Sequence, residues 1–454
     1  MPKQQISRKQ LKFVQFLELL EADSEFLSAF ETAPNSDTAW GCIRAAALKA
    51  QLPHPPQKLG DFLHIVSQHA ANVPSQKLLL AVDNHRHASK VIANNNRQKK
   101  RELTDALGLG KGALPYSDLV TKNNLAIIQR DRIPDQYKCG MVLVDHGNED
   151  LARDGEKVLF VPADDTWYVV GEHESVAFIN STGGIELVII RGCCALRPDL
   201  INHANEVIDS VIHNRRGVRP THGGKLIQYG WNAGPCHACV FGLVCNVANK
   251  KLNGEELAAQ DKSILGIMSL TWNLLTAALP KEVIDPVKEK LAEANLPPMA
   301  SPGNVKEHGY ELSLPDGTLS WSTAEHAPAE AYMSQNYTFP IHTDQLYAPY
   351  ALNWVTMHEV IDHDAADLHV RTKGSKFHRT SGGNYVDVSL GVVVRCAKDT
   401  AMAVKPTSRH GTTLSRPGVK HQGTAINFST HIKTAFDKAL SAGGLVVDGG
   451  SSSE

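Results

Sequence analysis

The strongest constraint on how this 454-residue chain can fold is a pair of motifs far apart in sequence. One is His342-Thr343-Asp344; the other, 66 positions beyond its aspartate, is His410 in Lys405-Pro406-Thr407-Ser408-Arg409-His410-Gly411. In extended chain, side chains alternate with a period of two, so His342 and Asp344 point the same way. Strand-like runs at 351–357, 385–395 and 400–405, separated by glycines and charged turns, fill the interval. A barrel of such strands brings His410 back beside the first two residues.

Two imidazoles and a carboxylate can occupy one face of an octahedral Fe(II), leaving three adjacent positions for a co-substrate and O2. The spacing therefore predicts a metal site at His342, Asp344 and His410, and an oxygenase. By itself His-X-Asp is a weak signal in a chain with 21 histidines. Its setting among strands carries the weight.

Composition bounds the rest. With 42% hydrophobic residues the chain can bury a large core. It contains no apolar run of about 18 residues, and its first residues lack the apolar stretch of a signal peptide, so an intracellular protein of the cytoplasm or nucleus with no membrane partner is expected. A net charge of −2 excludes a global attraction to nucleic acid, while leaving local patches open. Eight cysteines in so long a chain suit reduced thiols. Cys236 and Cys239 form a CxxC without a second half, and are expected to be ordinary thiols rather than a zinc site.

Apolar residues recur at three- and four-residue intervals in 9–20 and 59–70, with a proline-rich break at 52–56, predicting a helical N-terminal region over 1–135. A β-rich domain with inserted helices is expected over 136–445, its metal-binding core at 305–435 and a disordered tail at 446–454. Short runs at 140–144, 158–162, 166–170, 175–179 and 185–191 suggest an antiparallel meander. Helices are expected at 198–215, 255–279 and 281–294, and a Pro-Asp-Gly turn within 311–320 suggests a hairpin feeding the barrel. Basic residues gather at 85–101 and 213–225; a solvated face is the simpler reading, and phosphate contacts the sharper one.

The order Gly382-Gly383-Asn384-Tyr385, β run, Ala397-Lys398-Asp399 turn, β run, Pro406 and His410 resembles the C-terminal half of the double-stranded β-helix in Fe(II)/2-oxoglutarate dioxygenases. The resemblance covers about 340–432. It implies an α+β fold with a jelly-roll, cupin-like core buttressed by helices, with Fe(II) as cofactor and 2-oxoglutarate and O2 as partners. That family pairs the far carboxylate of 2-oxoglutarate with an Arg, less often a Lys, some ten or more residues after the distal His. Here Lys420 matches that place best, Arg416 is nearer the His, and His421 is a third choice. Tyr347, Asn353 and Tyr385 are the expected pocket-lining residues, with core packing as the alternative for each. The TET/JBP-like members act on nucleic acid, so a modified base is one substrate class. Hydroxylation of a protein or small molecule, or a non-catalytic cupin-like binding protein, are the others.

His358-Glu359-Val360-Ile361-Asp362-His363 looks like the zincin HExxH, but its second His comes one residue late and leaves the first one's helical face. His378 and His431 are read as ordinary histidines.

Overall fold

The computed structural model describes residues 8–33, 36–51, 59, 62, 66, 76–162, 164–234, 241–301, 308–315 and 317–442. The break expected at 52–56, the Cys236/Cys239 pair and the tail 446–454 lie outside them. The chain divides into two units, 1–101 and 102–454.

In the first unit helices Arg8–Ala22, Ser24–Glu31 and Ser36–Lys49 contribute to an apolar core that includes Phe16, Phe30, Ile43 and Phe62, joined by Leu78 and Val82 of helix Gln76–Leu107. Four-residue spacings such as Phe26/Phe30 and Leu78/Val82 set these side chains on one helical face. Asp23 caps the second helix by accepting from Phe26 N at 3.0 Å.

The second unit is α+β with large antiparallel sheets. Its nine-stranded sheet runs Ala126–Gln129, Val176–Ile179, Ile185–Arg191, Thr400–Val404, Ala351–Val360, Val419–Ile426, Glu330–Thr338, Gly223–Asn232, Gly242–Leu243. A four-stranded sheet runs His410–Thr412, Tyr385–Asp387, Val392–Val394, Tyr168–Val170. From residue 330 onward the chain passes back and forth between them: Glu330–Thr338 in the larger, an isolated bridge at His342 against His410, then Ala351–Val360 in the larger again. The hairpin Tyr385–Asp387/Val392–Val394 follows in the smaller, and Thr400–Val404, His410–Thr412 and Val419–Ile426 continue the alternation.

Period-two alternation sorts the faces. Ala351, Met402, Val404, Leu187, Ile189 and Phe178 of the larger sheet pack against Val170, Val392 and Val394 of the smaller. Their neighbours Leu352, Trp354, Ala401, Ala403 and Val188 turn the other way, into the core shared with helices Pro198–Asn214 and Gly254–Ala278. Val386 and Val393 cover the far side of the smaller sheet against Leu143 and Val161, from the parallel pair Val142–Asp145/Val158–Val161. Helix Gly254–Ala278 starts at a capping box between Asn253 and Glu256.

Several expectations are revised. The helical region does not extend to 135: Leu103, Leu107, Leu119 and Leu125 belong to the core of the second unit, and Ala126–Gln129 is an edge strand. The runs at 140–191 form no single meander; they distribute over three sheets, because local alternation specifies a face but not a partner. The hairpin His308–Leu314/Gly317–Glu325 is a separate two-stranded sheet and does not enter either larger one. The zincin-like His358 and Glu359 lie in a strand, so their side chains fall on opposite faces.

Candidate metal centre

The segment carrying His342 and Asp344 is held by its own backbone. His342 N donates to His410 O at 2.9 Å, His410 N returns the bond at 3.0 Å, and Asp344 N donates to Pro406 O at 2.9 Å. Gly411 permits the approach: a Cβ there would lie 2.6 Å from Leu143 Cδ1 and 3.0 Å from Phe339 O.

The side chains converge on one point. Asp344 Oδ1 is 3.3 Å from His342 Nε2, and Oδ2 is 3.5 Å from His410 Nε2. One ligand atom from each of the three lies within 4.8 Å of the other two. His342 Nδ1 is 3.1 Å from Pro340 O and His410 Nδ1 is 2.8 Å from Ser408 O. A carbonyl can only accept, so each Nδ1 carries a proton and each Nε2 is the nitrogen presented inward. Outer hydrogen bonds of this kind set the tautomer and orientation of metal-binding imidazoles.

Burial opposes ionisation of Asp344, but hydrogen bonds to the two imidazoles, and their charge, outweigh it and hold the carboxyl well below its usual range. His410 is lowered by burial and raised by Asp344 and the Ser408 carbonyl, with a net rise. Protons thus occupy a place that a cation would take, and two neutral imidazoles with one carboxylate fit Fe(II).

Aromatic rings wall the site. Phe339 meets His342 edge-on at 4.6 Å and His410 at 6.0 Å, and Tyr385 lies 5.6 Å from His410 with its hydroxyl buried and unpartnered. Asp387, the cross-strand partner of His410, is fully buried, and burial pushes its carboxyl up to about 6 against the pull of His410. His222 Nδ1 bonds the Tyr337 hydroxyl at 2.8 Å. The charges of Arg219 and Asp344 both reach the hydroxyls of Tyr332 and Tyr337, which burial holds above their ordinary range.

Of the residues singled out in the sequence, His342, Asp344, His410 and Tyr385 come together here. Asn353 falls on the face of its strand that looks toward the smaller sheet, as does Ala351. Tyr347 packs instead against Phe428, ring centres 5.8 Å apart, with the Lys433 ammonium 6.0 Å from its ring.

The two anchor candidates, Lys420 and Arg416, both meet carboxylates of this chain. Lys420 Nζ pairs with Asp209 of helix Pro198–Asn214 at 2.8 Å, and Gln422 Nε2 bonds the same carboxylate at 2.7 Å, so the even positions of this strand face the helices. Arg416 is buried, with Nη1 3.1 Å from both Asp150 oxygens and Nε 2.6 Å from Ala366 O. Both cations are already neutralised. Arg219, His222, Tyr332, Tyr337 and Phe339 were missed as a group. The Tyr337-Thr338-Phe339 spacing just ahead of the His-X-Asp segment was the available signal.

The basic stretches divide as well. In 85–101, His85 is buried against Phe30 and Arg86 pairs with Asp83 at 3.7 Å, while Lys90 and Arg97 are exposed. In 213–225, Arg215 is buried in an ion pair with Asp261 and Lys225 bonds the Ile212 carbonyl, which leaves Arg216 and Arg219 exposed. Among the described residues no helix is long and apolar enough to cross a membrane.

No family model and no curated protein matches the chain. Among solved structures it is similar to NgTET1 in complex with 5mC DNA, at 10% identity and a TM-score of 0.35, over 60% of this chain and 85% of that one. A likeness of that degree decides neither fold nor function.

Proposed function

We propose that this chain is an Fe(II)- and 2-oxoglutarate-dependent oxygenase built on a double-stranded β-helix, with His342, Asp344 and His410 as the metal ligands. The observation that carries the reading is the convergence of two imidazole Nε2 atoms on one carboxylate, each imidazole turned by a backbone carbonyl at its Nδ1. The alternation of strands between two facing sheets supports the fold.

When bound, the iron and keto acid supply oxidation of a substrate C–H bond coupled to decarboxylation of the keto acid. The chain's part is to hold and to wall. Phe339 and Tyr385 wall the buried His410 imidazole, while the partly exposed His342 faces the open side of the site, and the buried Tyr385 hydroxyl is a donor without a partner. A keto-acid carboxylate needs a cation, since an unpaired buried charge is costly. With Lys420 and Arg416 paired elsewhere, we assign that role to Arg219, three residues ahead of the His222 that bonds Tyr337.

For the substrate we favour a modified base in nucleic acid. Exposed Arg216 sits on the segment that reaches the site through His222, where a phosphate would meet it. Anaerobic addition of Fe(II) and 2-oxoglutarate should give the weak visible charge-transfer band of a chelated keto acid, and oxygenation with methylated duplexes should release succinate and an oxidised base. No band would overturn the oxygenase reading in favour of a binding protein. A band with no base oxidation would move the substrate to a protein or small molecule.

A further inference from the structure

A second group of metal-type ligands bridges the two sheets. His358 and His421 are direct cross-strand partners on strands Ala351–Val360 and Val419–Ile426, with ring centroids 5.8 Å apart. His421 points opposite to Lys420, away from the helices. Cys396, just past strand Val392–Val394 of the smaller sheet, places Sγ 3.9 Å from His421 Nδ1 and 4.0 Å from Nε2. One ligand atom from each of the three lies within 4.8 Å of the other two.

The surroundings leave polar atoms unused. His358 Nε2 is bonded to Ser381 Oγ at 2.9 Å, while its Nδ1 is buried without a partner. Ser415 Oγ is likewise buried and unpartnered. Buried polar atoms are nearly always satisfied, so two orphans at one place call for a missing occupant. The backbone makes room for it: a Cβ on Gly383, whose φ is +70°, would lie 3.0 Å from Ser415 Oγ, 3.2 Å from His421 Nδ1 and 3.5 Å from His358 Cε1.

We propose that His358, Cys396 and His421 form a second metal site, separate from His342, Asp344 and His410, for one thiophilic divalent cation of the zinc type that ties the larger sheet to the smaller. Two imidazoles and a thiolate are a borderline-soft set that suits zinc and disfavours magnesium or calcium. On binding, the Cys396 thiol gives up its proton to solvent and the metal–sulfur bond replaces it, with no change of oxidation state. Ser415 Oγ, buried and unpartnered, is the further polar atom beside the three.

Cobalt(II) separates the two sites, because only a sulfur ligand gives an intense near-ultraviolet thiolate-to-cobalt band. Titration of the metal-free full chain should develop that band with one equivalent. The band should persist in His342→Ala, vanish in Cys396→Ser, and need at least tenfold more cobalt in His421→Gln. Absence of the band in the wild-type chain, or its survival in Cys396→Ser, would overturn the site. Should Cys396→Ser not fold, X-ray absorption of the cobalt-loaded wild type decides: one sulfur at ~2.3 Å with imidazoles supports it, and none or more than one refutes it.

Discussion

Arg215 offers the sharpest separation of structural from functional basic residues. Its side chain is 3% exposed, with Nη2 2.5 Å from Asp261 Oδ1, Nε 2.9 Å from Gln260 Oε1 and Nη1 3.3 Å from Asn246 Oδ1. Burial pushes the Asp261 carboxyl up, and Arg215 is the chief influence holding it down. Arg215→Met keeps most of the bulk but strands that carboxylate. Breaking one side of a buried pair costs ~3–5 kcal/mol. The carboxyl can escape by taking a proton, which at pH 7 costs about 4 kcal/mol from an unfolded value near 3.9, so the loss should not exceed that. The sign follows: the carboxyl lies above its unfolded value beside Arg215 and rises further without it, so the penalty relative to wild type is absent at low pH, where both proteins hold the proton, and grows by ~1.4 kcal/mol per pH unit from the wild-type folded value until the variant's is passed. Urea unfolding at pH 5 and pH 7, followed by tryptophan fluorescence, measures it. Arg215→Met/Asp261→Leu should regain most of the loss. A single variant within ~1 kcal/mol of wild type at pH 7, or a loss independent of pH, would refute the account. Arg216→Ala, at an exposed position, should stay within ~0.5 kcal/mol.

Other outcomes are as definite. His342→Ala and Asp344→Ala should remain folded, because the 2.9–3.0 Å bridge to His410 is made by backbone atoms, yet release no succinate from 2-oxoglutarate. Lys420→Ala should leave the 2-oxoglutarate requirement within about twofold, while Arg219→Ala should raise it at least tenfold, or ~1.4 kcal/mol; the reverse result would restore Lys420 as the anchor. In the metal-free native chain at neutral pH a thiol reagent should label exposed Cys139 and Cys245, and spare Cys194 and Cys396 until the chain unfolds. Burial keeps those two thiols protonated, Cys396 being pushed up to about 12.

The gathering of His342, Asp344 and His410 was legible because its logic is local. A His-X-Asp in extended chain must present its two side chains to one side, and the β runs that follow it must turn back on one another. The helices at Pro198–Asn214, Gly254–Ala278 and Lys281–Ala294 were equally readable, since their apolar period and capping residues act within a turn or two. The run 385–395 reads as one strand but is a hairpin, in which Asp387 Oδ1 accepts from Leu390 N at 2.9 Å.

What the sequence by itself determined was which residues share a face, because covalent geometry sets the periods of strand and helix. Which faces meet was decided only by tertiary structure. Lys420 and His421 are neighbours in the chain, yet one pairs with Asp209 beneath the helices and the other looks across at Cys396. Choosing between them required knowing which side of the strand the helices cover. Arg416 drew its carboxylate from Asp150, 266 positions away, and His222 meets Tyr337, 115 positions away, through pairing of Gly223–Asn232 with Glu330–Thr338. Strand pairing and ion pairing over such separations are settled by burial and charge summed over the whole unit, and no local window of sequence contains that sum.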